Sequence, residues 1–522
     1  MVSNNINLFD QTKNKSAMSK EELNKKEESN TVNRRDFLKY GGVLTVLGAM
    51  GVSAAAAIPK KAVSKNVNKL IANNIVKVHD DFPAEIREDY AAPTNFDNIH
   101  ARAFFADALK PLGFEVENDV VENGRQFVNK MNNTWDNSKA GYNQADKALL
   151  AGSWAMSNYG AGPSPAAISD YGVFSWEQKT AGNPHALLDN DFVAHEKWKF
   201  ESKQEAANYI KRAAKLYGAN LVGITKRDKR WDYSKFLNPI PPIARKPMSG
   251  MPTPEQLEEL KTWGPDKFIT DWNSFPFEPK SVIVMAFEMD YEGFATAPCH
   301  ISGASAGDGY SRMTKTAYQL AVYLKNLGYK AVAAGNDMGL SVPYAIAAGL
   351  GENSRLGQVV TYKYGPRVRI AKVYTDFDFV EYDKPKSFGV MDFCKNCKRC
   401  ADACPSKAIT HDKEPSFEPT HDNKDNAWYN TKGVKKYNMD AKKCFQIWAE
   451  LGDDCGVCIA SCPYNKPDFW HHRLVDSVSA AMPGTVHDIM REMDKLFGYG
   501  NVEDEAAIKK FYSPDGKSYN GH

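Results

Sequence analysis

Outside two short bursts the chain has a single cysteine, and beyond its N-terminal segment it has no basic block and no apolar run long enough to span a bilayer. Lys and Arg total 66 against 64 Asp and Glu, a formal charge of +2. Nothing in that balance points to nucleic acid as a partner. No G-x-G-x-x-G fingerprint follows a strand, and no serine or cysteine hydrolase motif occurs. Asp and Glu are scattered without an active-site spacing. Hydrolysis and direct NAD(P)H oxidation are therefore disfavoured. With 522 residues, the chain can bury a core for two or three domains without disulfide staples. Its 24 Tyr, 26 Phe and 10 Trp suit a large planar cofactor or an apolar substrate, although most of them belong to core.

What is present begins with the cysteines. Cys394, Cys397, Cys400 and Cys404 read C-x2-C-x2-C-x3-C-P, the bacterial ferredoxin run. Cys444, Cys455, Cys458 and Cys462 stretch the first gap to ten residues but keep the same ending. In such paired runs three thiolates serve one cluster and the fourth serves the other. Crossed ligation assigns Cys394, Cys397, Cys400 and Cys462 to one [4Fe-4S] cluster, and Cys404, Cys444, Cys455 and Cys458 to the second. Zinc knuckles use paired C-x2-C hooks and fit this pattern poorly. Disulfide frameworks belong to domains too small to build a core. The chain moves electrons. Lone Cys299 reads as a buried thiol despite the adjacent His300, and His471-His472 as a surface or capping pair.

At the N-terminus, Asn33-Arg34-Arg35-Asp36-Phe37-Leu38-Lys39 precedes a Gly/Ala-rich apolar stretch over 40–57. This resembles a twin-arginine export signal, with Asn33 where Ser or Thr is favoured. The stretch falls short of the roughly 20 strongly apolar residues of a membrane span. Small residues Ala54 to Ala57 offer a cleavage site, so the mature chain is expected to start near Ile58. Export of a protein already folded around its cofactors agrees with the clusters. Residues 1–32 are polar and lysine-rich and are expected to be disordered.

Along the rest, 58–190 shows no motif beyond a helix over 145–157 and a Gly/Pro loop over 160–165. Ala206, Ala207, Ile210, Ala213, Ala214 and Tyr217 recur at helical spacing and predict a helix over 203–217, ended by Gly218. A strand follows over 219–224, then an irregular Pro/Trp-rich insertion over 226–279 with Trp231, Trp263 and Trp272. So long an irregular segment is usually functional. Strands over 281–287, 331–334 and 367–374 alternate with helices over 311–327 and 342–350, which predicts an α/β domain. The cysteine module occupies 388–466 and a short region closes the chain.

Several motifs then carry a specific resemblance. They are Arg34-Arg35, Lys197-Trp198-Lys199-Phe200-Glu201-Ser202, Gly309-Tyr310-Ser311-Arg312-Met313, Gly335-Asn336-Asp337-Met338-Gly339-Leu340-Ser341-Val342-Pro343, Ala348-Gly349-Leu350-Gly351-Glu352 and Asp383-Lys384-Pro385. In this order and spacing the chain resembles the corrinoid- and iron–sulfur-dependent reductive dehalogenases of organohalide respiration. The resemblance implies an α/β (α+β) corrinoid-binding domain of nitroreductase-like fold over 191–387, followed by a ferredoxin-like two-cluster module. It implies a cobalamin-type corrinoid with its lower base detached and no histidine on cobalt. The histidine-on motif D-x-H-x-x-G has only the near match Pro298-x-His300-x-x-Gly303. Tyr310, Gly335, Asn336, Gly339, Ser341, Val342 and Gly349 are the implied corrinoid contacts.

By the same resemblance, Tyr233 is the proton donor and Arg312 its support. A phenol titrates near ~10, and a neighbouring guanidinium would lower that by stabilising the phenolate. Arg312, read as lying at a helix start, opposes the helix dipole and so hints at a partner. Where some relatives place a pocket asparagine, this chain has the aromatic stretch around Phe275 and Phe277. The implied substrate is a small organohalide, most simply a chlorinated aliphatic one. The implied partners are a small integral-membrane anchor protein, a quinol-linked membrane electron donor, and the export machinery with its chaperone. The implied location is the outer face of the cytoplasmic membrane, peripherally attached. A cytosolic epoxyqueuosine-reductase type shares both cofactors but lacks the signal, and a non-catalytic electron-transfer subunit would bind iron without cobalt.

Overall fold

The structure, a computed structural model, describes residues 76–104, 106–110, 113–114, 116–160, 196–237, 269–275, 277–379, 381–465 and 505–513. The export signal, most of the Gly/Pro loop, the middle of the insertion with Trp263, and His471-His472 lie outside the described residues.

Ahead of the sheet come α1 (Ile99–Phe104), α2 (Asn118–Asn133) and α3 (Gln144–Gly160), all from the region without motifs. Helix α4 (Lys203–Tyr217) has the bounds its periodicity predicts. Ser202 caps it by accepting from the Glu205 N–H at 3.0 Å, the Ser-x-x-Glu start signal at work. Gly218 closes it at φ 122, a conformation that side chains avoid.

Strands β1 (Leu221–Lys226), β2 (Ser281–Glu288), β3 (Ala331–Ala334) and β4 (Val368–Thr375) form a sheet in the order β1-β2-β4-β3. Every pairing is antiparallel. Strand β4 returns from far along the chain to take the slot between β2 and β3, which therefore point the same way. With α5 (His300–Asn326) crossing between them, they make a split β-α-β unit. The alternation of strands and helices thus yields an α+β layer rather than a parallel α/β sheet.

All of β2 is buried, on both faces, which explains its nearly unbroken apolar sequence. Ile283, Met285, Phe287, Ala371 and Val373 pack against α4 and α5 on one face. Val282, Val284, Ala286, Ile370 and Tyr374 pack on the other against Trp231, Tyr233, Phe236, Phe275 and Tyr344. Truncating one of these large side chains to Ala would cost about 2–5 kcal/mol. The second face carries the residues of interest. It includes Tyr344 of α6 (Ser341–Ala347), which starts one residue before and ends three before the predicted helix.

Helix α5 begins eleven residues earlier than the 311–327 expected from periodicity. Its first half is rich in Gly and Ser, poor helix formers, but close packing overrides propensity. A Cβ on Gly303 would lie 2.3 Å from both Asp453 carboxylate oxygens, and one on Gly307 would lie 2.6 Å from the Trp154 ring. Arg312 consequently sits mid-helix, and the reading that it opposes a helix dipole is corrected.

The cysteine module contributes α7 (Val390–Cys397), α8 (Arg399–Ala403), α9 (Ala441–Leu451) and α10 (Val457–Ala460). Helix α2 packs on α9 and α3 on α5, while residues 77–78 pair with 386–387. The region before the sheet is thus bound to both the sheet layer and the cysteine module. A last helix, α11 (Glu505–Phe511), covers Cys299 through Ile508. Among the described residues no helix is long and apolar enough to cross a membrane.

Candidate redox and cofactor site

Cys394 and Cys397 sit on α7, Cys400 on α8, Cys444 on α9 and Cys458 on α10; the remaining three lie in the turns between. A left-handed Lys398, at φ 52, breaks the chain between α7 and α8 and turns the third cysteine inward. Burial pushes the Cys394 thiol up to about 11 and those of Cys455 and Cys458 up to about 12. Cys400, Cys444 and Cys462 rise well above the usual thiol range for the same reason. Such thiols stay protonated unless a metal takes the proton's place.

After burial, Cys400 is affected most by Cys462, Cys394 and Cys397. Cys444 is affected by Cys458, Cys455 and Cys404. The strongest neighbours of each thiol are thus members of the set that crossed ligation would assign to it. Cys458 lies between the two sets, acting more weakly on Cys400 and Cys462 as well. Among the described residues no three His, Cys, Asp or Glu side chains converge on one metal ion. Thiolates around a cubane are spread about a four-iron body, unlike those of a zinc knuckle.

The second part of the site is the turn from β3 into α6, residues 335–341. Its polar groups form a chain. The Asn336 amide donates to the Tyr310 hydroxyl at 3.2 Å, and the Ser341 hydroxyl donates to Asn336 Oδ1 at 3.1 Å. The ammonium of Lys372 donates to Ser341 Oγ at 2.8 Å and to the Gly335 carbonyl. Tyr310 is also stacked on Trp154, with ring centroids 4.9 Å apart, and lies under the Arg369 guanidinium at 4.4 Å. Tyr310, Gly335, Asn336 and Ser341 are thereby brought together. Val342 and Gly349 are not part of this chain. At Gly339 a Cβ would meet the Tyr374 hydroxyl at 2.6 Å, and at Gly349 the Lys384 carbonyl at 2.5 Å. There the protein itself fills the space that the absent side chain leaves.

The Tyr233 segment runs beside this turn. The Tyr233 N–H donates to the Met338 carbonyl at 3.1 Å and the Leu340 N–H to the Trp231 carbonyl at 2.8 Å, with Asp232 bridged to Gly339. Trp272 Nε1 donates to the Tyr233 carbonyl at 2.9 Å. Asp232 is held by Arg227 at 2.7 Å and by the hydroxyls of Tyr344 and Tyr374 at 2.6 and 3.2 Å. Both sides of Tyr233 are therefore fixed. Tyr233 is 8% exposed. Burial raises the phenol, with further upward pushes from the Asp337 and Asp97 carboxylates. The expected lowering by Arg312 is not seen. That guanidinium donates to Asp308 at 2.8 Å and to the Glu288 carbonyl, on the α5 side of the sheet.

Sequence reasoning missed several residues here. Lys372 is 0% exposed, in the centre of β4 opposite Val284 and Ala334. A lysine set between Ala371 and Val373 in a buried strand was the signal for it. Asp337 lies within a quoted motif and is 3% exposed. Burial raises its carboxyl to about 6 against the pull of Lys372. The N–H groups of its own turn favour its charge, yet neither carboxylate oxygen has a hydrogen-bond partner among the described residues. Arg369 Nε, one Asp454 oxygen and Trp231 Nε1 are also buried without one.

Comparison with known proteins adds identity to this geometry. The model of a 4Fe-4S double cluster binding domain matches residues 393–465. The chain is 34% identical over 546 residues to the tetrachloroethene reductive dehalogenase of Dehalobacter restrictus, covering 92% of this chain and 96% of that one. It is 31% identical over 493 residues to the enzyme of the same name from Sulfurospirillum multivorans, covering 91% and 92%. Among solved structures, a catabolic reductive dehalogenase in complex with 3-bromo-4-hydroxybenzoic acid aligns with TM-score 0.54 and 18% identity over 81% of this chain. A reductive dehalogenase whose structure suggests a mechanism for B12-dependent dehalogenation aligns with TM-score 0.54 and 17% identity over 86%. The chain spans about half the length of these two solved chains, 49% and 53%.

Proposed function

The chain belongs to the reductive dehalogenases, and from that premise we propose that it reduces a small chlorinated organohalide at a corrinoid fed by two [4Fe-4S] clusters. The relatives named for tetrachloroethene support a small aliphatic substrate. The observation that carries the reading is that the Tyr233 segment is paired with the 335–341 turn, so that proton donor and cofactor loop share one face of the sheet.

The residues present suit the groups they would hold. Two crossed sets of four thiols match two cubanes. A corrinoid bristles with amide side chains, and the polar chain through Tyr310, Asn336 and Ser341 matches such a rim. So do the unpartnered atoms of Asp337 and Arg369. Val342 and Gly335 are the further proposed contacts, whereas Gly339 and Gly349 give their space to Tyr374 and Lys384. The domain over 191–387 is proposed to be a nitroreductase-like variant, with 58–190 ahead of it and 388–466 as the cluster module.

A corrinoid held by Tyr310 and the 335–341 turn would supply the reducing power for cleavage of the carbon–halogen bond. The protein's part is to orient, exclude water and deliver a proton. Trp272, Phe275 and Phe277 form an aromatic wall beside Tyr233, with Trp272 and Phe275 rings 4.9 Å apart. An apolar chlorocarbon gains from that surface and water does not. The Tyr233 hydroxyl, held protonated by burial, gives its proton to the carbon as halide departs. Export by the twin-arginine route and peripheral attachment through a small anchor protein complete the proposal, with electrons from a quinol-linked donor.

The test is metal content and visible spectrum of anaerobically purified, cobalamin-reconstituted protein. About eight irons and one cobalt per chain, a base-off spectrum and chloride release from chlorinated ethenes are expected. Iron without cobalt would overturn the proposal and leave an electron carrier.

A further inference from the structure

We infer that Lys372 is a positioning residue for the cofactor loop, fixing the 335–341 turn so that Asn336 and Tyr310 present one ordered polar edge. The inference rests on the function proposed above and concerns a residue that no motif singled out.

A lysine is seldom fully buried, since its ammonium loses its hydration. Here the strand gives it no freedom, because β4 is paired on both sides, to Val284 and to Ala334. The ammonium spans the turn from end to end, donating to the Gly335 carbonyl at its start and to Ser341 Oγ at its close. Ser341 in turn holds Asn336 by its amide oxygen, which aims the amide nitrogen at Tyr310. Remove the ammonium, and Ser341 and Gly335 lose their common tether. The Asn336 amide is then free to rotate away from Tyr310.

Asp337 supplies the compensating charge without occupying those bonds. Its carboxylate acts on Lys372 through space and raises the ammonium, which burial alone pulls down, leaving it at about 8. Lys372 thus has two separable effects, a charge that balances Asp337 and bonds that shape the loop.

Their separability makes the test. The full chain, with clusters reconstituted, is titrated with cobalamin while iron content and melting temperature are followed. Lys372→Met is expected to retain its iron and to bind cobalamin about ten- to a hundredfold more weakly, the worth of hydrogen bonds from a charged donor. Adding Asp337→Asn removes the stranded charge, so the double variant should regain melting temperature but not cobalamin affinity. Ser341→Ala, which leaves the charges alone, should weaken cobalamin with a smaller loss of melting temperature than Lys372→Met; it serves if Lys372→Met does not fold. Unchanged affinity in Lys372→Met or Ser341→Ala would overturn the inference. So would a double variant that regains both properties, since Lys372 would then only balance charge. If the unsubstituted protein takes up no cobalamin, the proposed function fails first and this inference falls with it.

Discussion

Arg367 joins the sheet to the cysteine module, and its removal has a consequence whose size and pH dependence both follow from the structure. Its guanidinium meets Glu288 at 2.8 Å with side-chain exposures of 1% and 5%. It also donates to Asn465 Oδ1 at 2.8 Å and to the Met289 carbonyl. Arg367→Met leaves Glu288 buried with only the more distant Lys363 and Arg312 to offset it. Breaking one side of such a pair costs about 3–5 kcal/mol. Unfolding entropy near ~2.1 cal/mol/K per residue gives roughly 0.9 kcal/mol/K for a unit of this size, so the midpoint should fall by about 3–5 °C. Burial already raises Glu288 above its ordinary value, and without Arg367 it rises further. A carboxyl with a raised folded pKa binds more protons folded than unfolded, so stability falls as pH climbs from the unfolded pKa to the folded one. The deficit should therefore be larger at pH 8 than at pH 5, and adding Glu288→Gln should recover most of it. Anaerobic calorimetry at matched iron loading measures this, because bound clusters shift the melt on their own. A variant that melts with the unsubstituted protein at both pH values would refute the reasoning. So would a double variant that recovers nothing.

Tyr233→Phe should keep iron and cobalt content and lower dehalogenation by about 10²–10⁴-fold, the usual contribution of a positioned acid; a smaller loss in turnover would reassign the proton donor. Cys404→Ala should perturb the same cluster in electron paramagnetic resonance as Cys444→Ala, not the one perturbed by its sequence neighbour Cys400→Ala; matching Cys400 would reject crossed ligation. Gly303→Ala forces a methyl against the Asp453 carboxylate and should destabilise by about 1–3 kcal/mol, read as a lowered melting temperature with the start of α5 losing protection from hydrogen exchange.

Local pattern carried much of this protein. The ferredoxin spacing is a local property, since tight loops present thiols in the order of the chain, so the double-cluster module was legible before any fold. Helix α4 was equally plain, because its cap, apolar stripe and terminal Gly218 all agree. The order of motifs over several hundred residues marked the family, which the curated relatives at 34% and 31% identity bear out.

Tertiary structure decided what depends on distant partners. Strand β4 enters between β2 and β3 only because the chain returns from far away, and no periodicity reports that. The first half of α5 looks like loop by propensity, and becomes helix because its glycines let Asp453 and Trp154 approach. Lys372 looks out of place between Ala371 and Val373 until the 335–341 turn folds over it and gives its ammonium acceptors. The upward shift of Tyr233 likewise comes from burial and from Asp337, a neighbour a hundred residues away in sequence. Spacing along a chain encodes contacts that are local, whereas desolvation and long-range pairing exist only once the core has closed.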